Sequence, residues 1–134
     1  MTVKDYLEQY EKWKIEIIMN FELLQNLYDL WKPQTVAPTK PQNSHGLASL
    51  VVLEQIYKTE IDRLFKQISD LQLIINTLED SLLRIILTKR YIELKKPENI
   101  AAEIPCDVRT VYRWLKEAIN TLQAQYPDMF EPCE

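Results

Sequence analysis

The stretch "IPCDVRTVYRWLKEAI", residues 104–119, decides how the whole chain is read. Asp107 stands where an N-cap belongs, with a side-chain oxygen able to accept from the free N–H groups of the first helical turn. Val111, Leu115, Ala118 and Leu122 then recur at steps of four, three and four, the inward stripe of an amphipathic helix, with Trp114 on its flank as core or rim packing. Upstream, Pro97 suits the first position of a short helix, where its missing N–H costs nothing. Ile100, Ala101 and Ile104 face inward, and Ala101 is small enough to let two helices cross closely. Pro105 disfavours helical geometry at Ile104, so the short helix ends there. A short helix, a tight turn and a capped second helix form the pattern of a helix-turn-helix.

That register leaves Val108, Arg109, Thr110, Tyr112, Arg113 and Lys116 on the outward side, with Lys95 and Lys96 just ahead of the short helix. These eight residues are the candidate DNA-binding set. Arginine offers a two-pronged donor to guanine O6 and N7, threonine a hydroxyl or methyl contact, and lysine a mobile charge for phosphate. The alternative for the same cations is an ordinary solvated face.

Charge along the chain supports a local basic surface. The net charge of −4 over 134 residues conceals eight Lys/Arg against five Asp/Glu in residues 83–122. Residues 1–82 carry eight against twelve, and residues 123–134 carry three acids and no Lys or Arg, an acidic tail. An acidic whole argues against unspecific coating of nucleic acid but allows one basic face to read a duplex.

The single glycine and the bunching of prolines at 33, 38 and 41 point to helices joined by irregular segments, hence an all-α chain. A first helix is expected from Thr2 to Trp31, opened by a Thr2/Asp5 capping box. Its seam is Tyr6, Tyr10, Trp13, Ile17, Leu24, Leu27 and Trp31, with Asn20 in the one polar slot. Residues 33–46, "PQTVAPTKPQNSHG", are expected to be an irregular connection. A second heptad run follows: Leu50, Leu53, Tyr57, Ile61, Leu64, Ile68, Leu71, Ile75, Leu78 and Leu82. No helix buries such a stripe alone. Its partner is either the first helix folded back antiparallel, giving a coiled-coil-like hairpin over residues 1–76, or a second subunit in a homodimer. Glu60, Asp62 and Asp70, balanced by Lys58, Arg63 and Lys66, read as the solvent face of the long helix. Thr77 is the expected cap of the next helix, with Leu82, Leu83, Ile86, Leu87 and Tyr91 inward and Arg84, Lys89 and Arg90 off the apolar face. The helix-turn-helix domain is then residues 77–125, and the tail 126–134.

The run "LEDSLLRIILTKRYIELKKPENIAAEIPCDVRTVYRWLKEAI" resembles the sigma-factor region 4 type of helix-turn-helix found in small phage-encoded transcription regulators of the ArpU and RinA kind. Such sequences carry an "L.RYIE" helix, an "IA..L" helix and a "RTVYR" recognition helix. The specific part of the likeness covers residues 78–122. The resemblance implies a DNA-binding activator of phage late genes in a Gram-positive host. Two departures bear on the turn: Pro105 stands where glycine is usual and cannot take a positive φ, and Lys96 and Pro97 replace the usual polar cap and aromatic. The turn must therefore be built differently.

Other classes leave little trace. Cys106 and Cys133 lack CxxC spacing and His45 is remote from both, so no metal site, cofactor or disulfide framework is expected. Cys106 falls at the apolar turn position, where an inert thiol is expected. No Gly-rich phosphate loop and no nucleophile with an adjacent base suggest an enzyme. Without a signal segment or a membrane-length apolar run, the expected location is the bacterial cytoplasm. The expected partners are double-stranded DNA, a second copy of the chain and host RNA polymerase. Two alternatives stay open: a DNA-packaging recognition subunit of the small-terminase type, which would assemble as a ring, and a helical adaptor or sigma-factor antagonist that does not bind DNA.

Overall fold

The computed structural model describes residues 1–36 and 44–132, with the backbone alone described at 32–36, 44, 45 and 47. The chain is all-α: α1 Val3–Val36, α2 Ser44–Asn76, α3 Ser81–Leu87, a π-helical turn Thr88–Ile92, α4 Pro97–Glu103 and α5 Val108–Gln125. Among the described residues there is no strand beyond an isolated bridge between Thr2 and Glu131. The chain divides into two compact units, residues 13–67 and residues 1–12 with 68–134.

The first unit is a helical hairpin. Leu24 and Leu27 of α1 pack on Ile61 of α2, with Tyr28, Leu50 and Tyr57 against them. Phe21 meets Phe65 edge-on with ring centroids 6.3 Å apart. Partner numbers on α2 fall as those on α1 rise, so the two segments run antiparallel. Of the heptad slots, Trp13, Ile17, Leu24, Leu27, Ile61 and Leu64 are buried, whereas Leu53, expected in the seam, is exposed, off the stripe that Leu50 and Tyr57 share with the core. Asn20, in the polar slot, donates its side-chain amide to the Glu16 carbonyl at 2.8 Å, which satisfies it locally.

The connection is shorter than the expected 33–46. Helix α1 continues through Pro33 to Val36, and α2 opens at Ser44. Pro33 gives up the N–H that would bond the carbonyl four residues back, the local reason to expect a break there, yet the helix runs three residues beyond it. Residues 37–43 and the side chain of His45 lie outside the described residues, as does Cys133.

In the second unit the outer ends of both long helices join the C-terminal helices. Val3 and Leu7 of α1 are fully buried there, as are Leu71, Ile75 and Leu78 around the end of α2. Thr77 does not cap α3. Its hydroxyl donates back to the Ile74 carbonyl at 2.6 Å and closes α2. Asp80 is the cap, its carboxylate accepting from Leu82 N at 2.9 Å. The Arg84 guanidinium donates to the carbonyl oxygens of Leu78 and, at 3.1 Å, Glu79. One side chain thus satisfies the interhelical loop and fixes the angle at which α3 leaves α2.

The described part of the C-terminal tail is docked through residues 126–131. Phe130 is buried, its ring 5.3 Å from Tyr6 and 6.3 Å from Tyr126. Glu131 N donates to the Met1 carbonyl at 3.0 Å, and the Gln123 amide donates to the Phe130 carbonyl at 3.1 Å.

Candidate nucleic-acid interface

Four buried residues, Val111, Leu115, Ala118 and Leu122, anchor α5, and α3 and α4 both pack on it. α3 supplies Leu83, Ile86 and Leu87, and α4 supplies Ile100. Each fully buried aliphatic side chain is worth about 1.5–3 kcal/mol relative to exposure, so the rotation of α5 about its axis is strongly set. A turn of 100° would bring charge into this core.

The Asp107 carboxylate accepts from Arg109 N at 3.0 Å and holds the first turn of α5. The turn before it is built without a left-handed residue. Ile104 is extended, at φ −108° and ψ 95°, the geometry a following proline imposes. Ile104 N still donates to the Ile100 carbonyl at 2.9 Å, and Cys106 N reaches the Ala101 carbonyl at 3.3 Å. Cys106 is a half-buried free thiol. Lys96 opens α4 with an extended backbone and no side-chain cap, and Pro97 follows at the first helical position, buried.

The expected site residues divide by environment. Arg109, Tyr112, Arg113 and Lys116 are exposed on α5, Tyr112 at 53%, while Val108 and Thr110 are half-buried at its shoulder. Beyond them the outward face continues as a shallow depression lined by Arg113, Lys116, Glu117, Asn120, Thr121 and Ala124. Among the described residues, no ion pair involves Arg109, Arg113 or Lys116. Lys96 is exposed.

Lys95 is different. Its ammonium pairs with Glu103 on α4 and, at 3.2 Å, with Glu93; Lys89 reaches the same Glu103 at 3.3 Å. Hydrogen bonding to Glu103 and then Glu93 pushes the Lys95 ammonium above its usual range. The bond from Lys95 in turn holds the Glu103 carboxyl below its usual range, with Lys89 adding to the effect. These pairs tie the π-helical turn to α4, a role the sequence reading did not give to Lys89, Glu93 or Glu103.

The π-helical turn itself left no legible signal. "TKRYI" reads as α-helix by periodicity, yet Glu93 N bonds to the Thr88 carbonyl and Lys95 N to the Lys89 carbonyl, each one residue wider than the α-helical closing pattern. Leu94 completes this closure at φ 58°, the only positive φ on a non-glycine among the described residues. The Arg90 guanidinium lies 5.6 Å from the Tyr91 ring centroid and 3.4 Å from the Lys95 carbonyl.

The sequence model of a family described as protein of unknown function, DUF1492, matches residues 42–123, more than half of the chain. The chain belongs to that family. The DUF1492 match runs from α2 into α5 and so contains α4, the turn and α5 as far as Gln123. No curated protein and no solved structure matches the chain. Among the described residues no group of His, Cys, Asp or Glu is arranged to hold a metal ion, and no helix is long and apolar enough to cross a membrane.

Proposed function

We propose that this chain is a sequence-specific transcription regulator that lays α5 in the major groove of double-stranded DNA and activates phage late genes. The observation that carries the DNA-binding reading is the contrast between two sets of cations. Arg84, Lys89 and Lys95 are engaged by carbonyls or carboxylates of the fold, whereas Arg109, Arg113 and Lys116 share one exposed face of the α5 helix, outside any ion pair among the described residues. Cations left available along two turns of a buried-side-anchored helix suit an anionic surface with helical pitch. Activation of late genes, and a phage origin, rest on the resemblance of residues 78–122 to phage regulators.

The roles follow from position. Arg109, at the end of α5 that enters deepest in helix-turn-helix complexes, reads a guanine edge, with Thr110 and Tyr112 beside it. Arg113 and Lys116, one turn further, meet phosphate. Lys96 can reach the backbone from the start of α4, while Lys95 contributes less because two carboxylates already neutralise it.

The test is selection of binding sites from a random duplex library, followed by titration of the enriched sequence at several salt concentrations. An enriched motif bound at least ~1,000-fold more tightly than random DNA supports the reading. No enrichment, with no binding at low salt, overturns it and leaves the adaptor reading.

A further inference from the structure

We propose that one flank of the helical hairpin, formed by Met19, Leu23 and Leu30 of α1 with Val52, Leu53 and Ile56 of α2, is a dimerisation surface covered by the same flank of a second copy of this chain. This goes beyond DNA binding and does not rest on it.

Two observations fix the flank. Leu24, Leu27 and Ile61 define the inward stripe of the hairpin, and Phe21 meets Phe65 to one side of it. Tyr28 hydrogen-bonds to Lys58 on that same side, which holds the Lys58 ammonium above its usual range. Met19, Leu23 and Leu30, at steps of four and seven, fall on the opposite side of α1. With the helices antiparallel, Ile56 falls on the matching side of α2, Leu53 lies between it and the core stripe, and Val52 lies one turn before Ile56 and further toward the outer face. All six side chains are 37–61% exposed.

The occupant follows from area and charge. Six aliphatic side chains, each roughly half exposed, leave on the order of 600 Å² of apolar surface; each partner in a standard interface contributes about 800 Å², so a polar rim completes the requirement. Residues 13–67 carry six Lys/Arg and six Asp/Glu. A neutral apolar strip offers no attraction to a nucleic acid or a strongly charged protein, yet meets its own copy without net repulsion. The Glu60–Arg63 ion pair adds a self-neutral element to α2. Two such hairpins related by a two-fold axis form a four-helix arrangement, in which each flank closes the other.

The experiment is sedimentation equilibrium on the full chain across the micromolar range, without DNA. The expected mass is twice that of the chain. The double variant Met19→Glu, Leu23→Glu changes only exposed side chains, and is expected to keep its helical circular dichroism while its dimer dissociation constant rises by about 100-fold or more. Leu73→Glu, at an equally exposed apolar position outside the hairpin unit, is expected to leave the dimer intact. A wild-type chain that stays at single-chain mass throughout overturns the proposal, and points to a different partner for the flank. A ring of more than two copies overturns it too, as does loss of the dimer in Leu73→Glu to the same extent as in the double variant. Because the readout is mass alone, its failure is distinct from a failure to bind DNA.

Discussion

Replacing Phe130 by alanine should cost the chain about 3 kcal/mol, although the residue lies close to the C-terminal end of the sequence. Phe130 is buried and its ring meets both Tyr6 and Tyr126. A buried Phe→Ala change costs about 3–5 kcal/mol, and a peripheral site that can relax belongs at the lower end. Each aromatic pair accounts for about 0.5–1.5 kcal/mol of that beyond area alone. For a chain of this size the loss corresponds to a fall in Tm of about 10 °C. Urea unfolding followed by circular dichroism measures it, and Phe130→Leu, which keeps most of the volume, should lose about 1 kcal/mol. A second readout is independent of stability. Burial first, and Asp70 second, push the Tyr6 phenol above its ordinary value of 10.0. Removing the Phe130 ring hydrates Tyr6, so its ultraviolet titration, isolated by difference against Tyr6→Phe, should move down toward that value. An alanine variant that melts within about 2 °C of wild type, with the Tyr6 titration unmoved, would refute the docking of the tail and the energetics built on it.

On a selected site, Arg109→Ala should lose about 1–3 kcal/mol while random DNA is bound nearly as before; Lys116→Ala should weaken both alike and reduce the salt slope by about one, and anisotropy titrations distinguish the two. Ile17→Asp or Leu24→Asp should lower stability by several kcal/mol, seen as a reduced urea midpoint, because each places an unpaired charge in the buried stripe of the hairpin. The Lys95–Glu103 pair should hold only in a pH window. Glu103, lowered from 4.5, contributes above that value and loses its contribution as pH falls through its depressed folded pKa. Lys95, raised from 10.5, contributes below that value and loses its contribution as pH rises through its elevated folded pKa. Amide exchange around residues 93–96 should accelerate at both extremes, and Glu103→Gln should flatten the acid limb. A fragment starting at residue 77 should fail to fold, as judged by its circular dichroism, because Val3, Leu7, Leu71 and Ile75 are missing from its unit.

Most of the helical plan was legible because apolar spacing is a direct consequence of burial. The stripe Val111, Leu115, Ala118, Leu122 could be read from its steps, and so could the Asp107 cap. What escaped was set by competition between local options. Thr77 and Asp80 are both chemically able to cap, and only the path of the loop, held by Arg84, selects Asp80. Pro33 reads as a breaker because it gives up the bond to the carbonyl four residues back, yet α1 runs three residues beyond it. Val3 and Leu7 are buried in a unit that residues 68–134 complete, a partnership far apart in sequence that no periodicity announces. The candidate interface was legible as residue types on a face, but Lys95 could not be separated from the available cations. Its pairing partner, Glu103, lies eight positions away at the far end of α4.

The widened turn at Thr88–Ile92 also changes how the chain tolerates a change of length. Deleting one residue from an α-helix rotates everything downstream by about 100° and would throw the interior side of α5 outward. Within residues 88–92 the same deletion has somewhere to go. The Glu93 to Thr88 bond would shorten to the ordinary α-helical step, and the Lys95 to Lys89 bond to the ordinary Schellman step, with Leu94 still in the left-handed position. Relatives one residue shorter at this place would keep the same helix-turn-helix phase, so a gap here in a family comparison marks a slack position in the backbone and not a different fold.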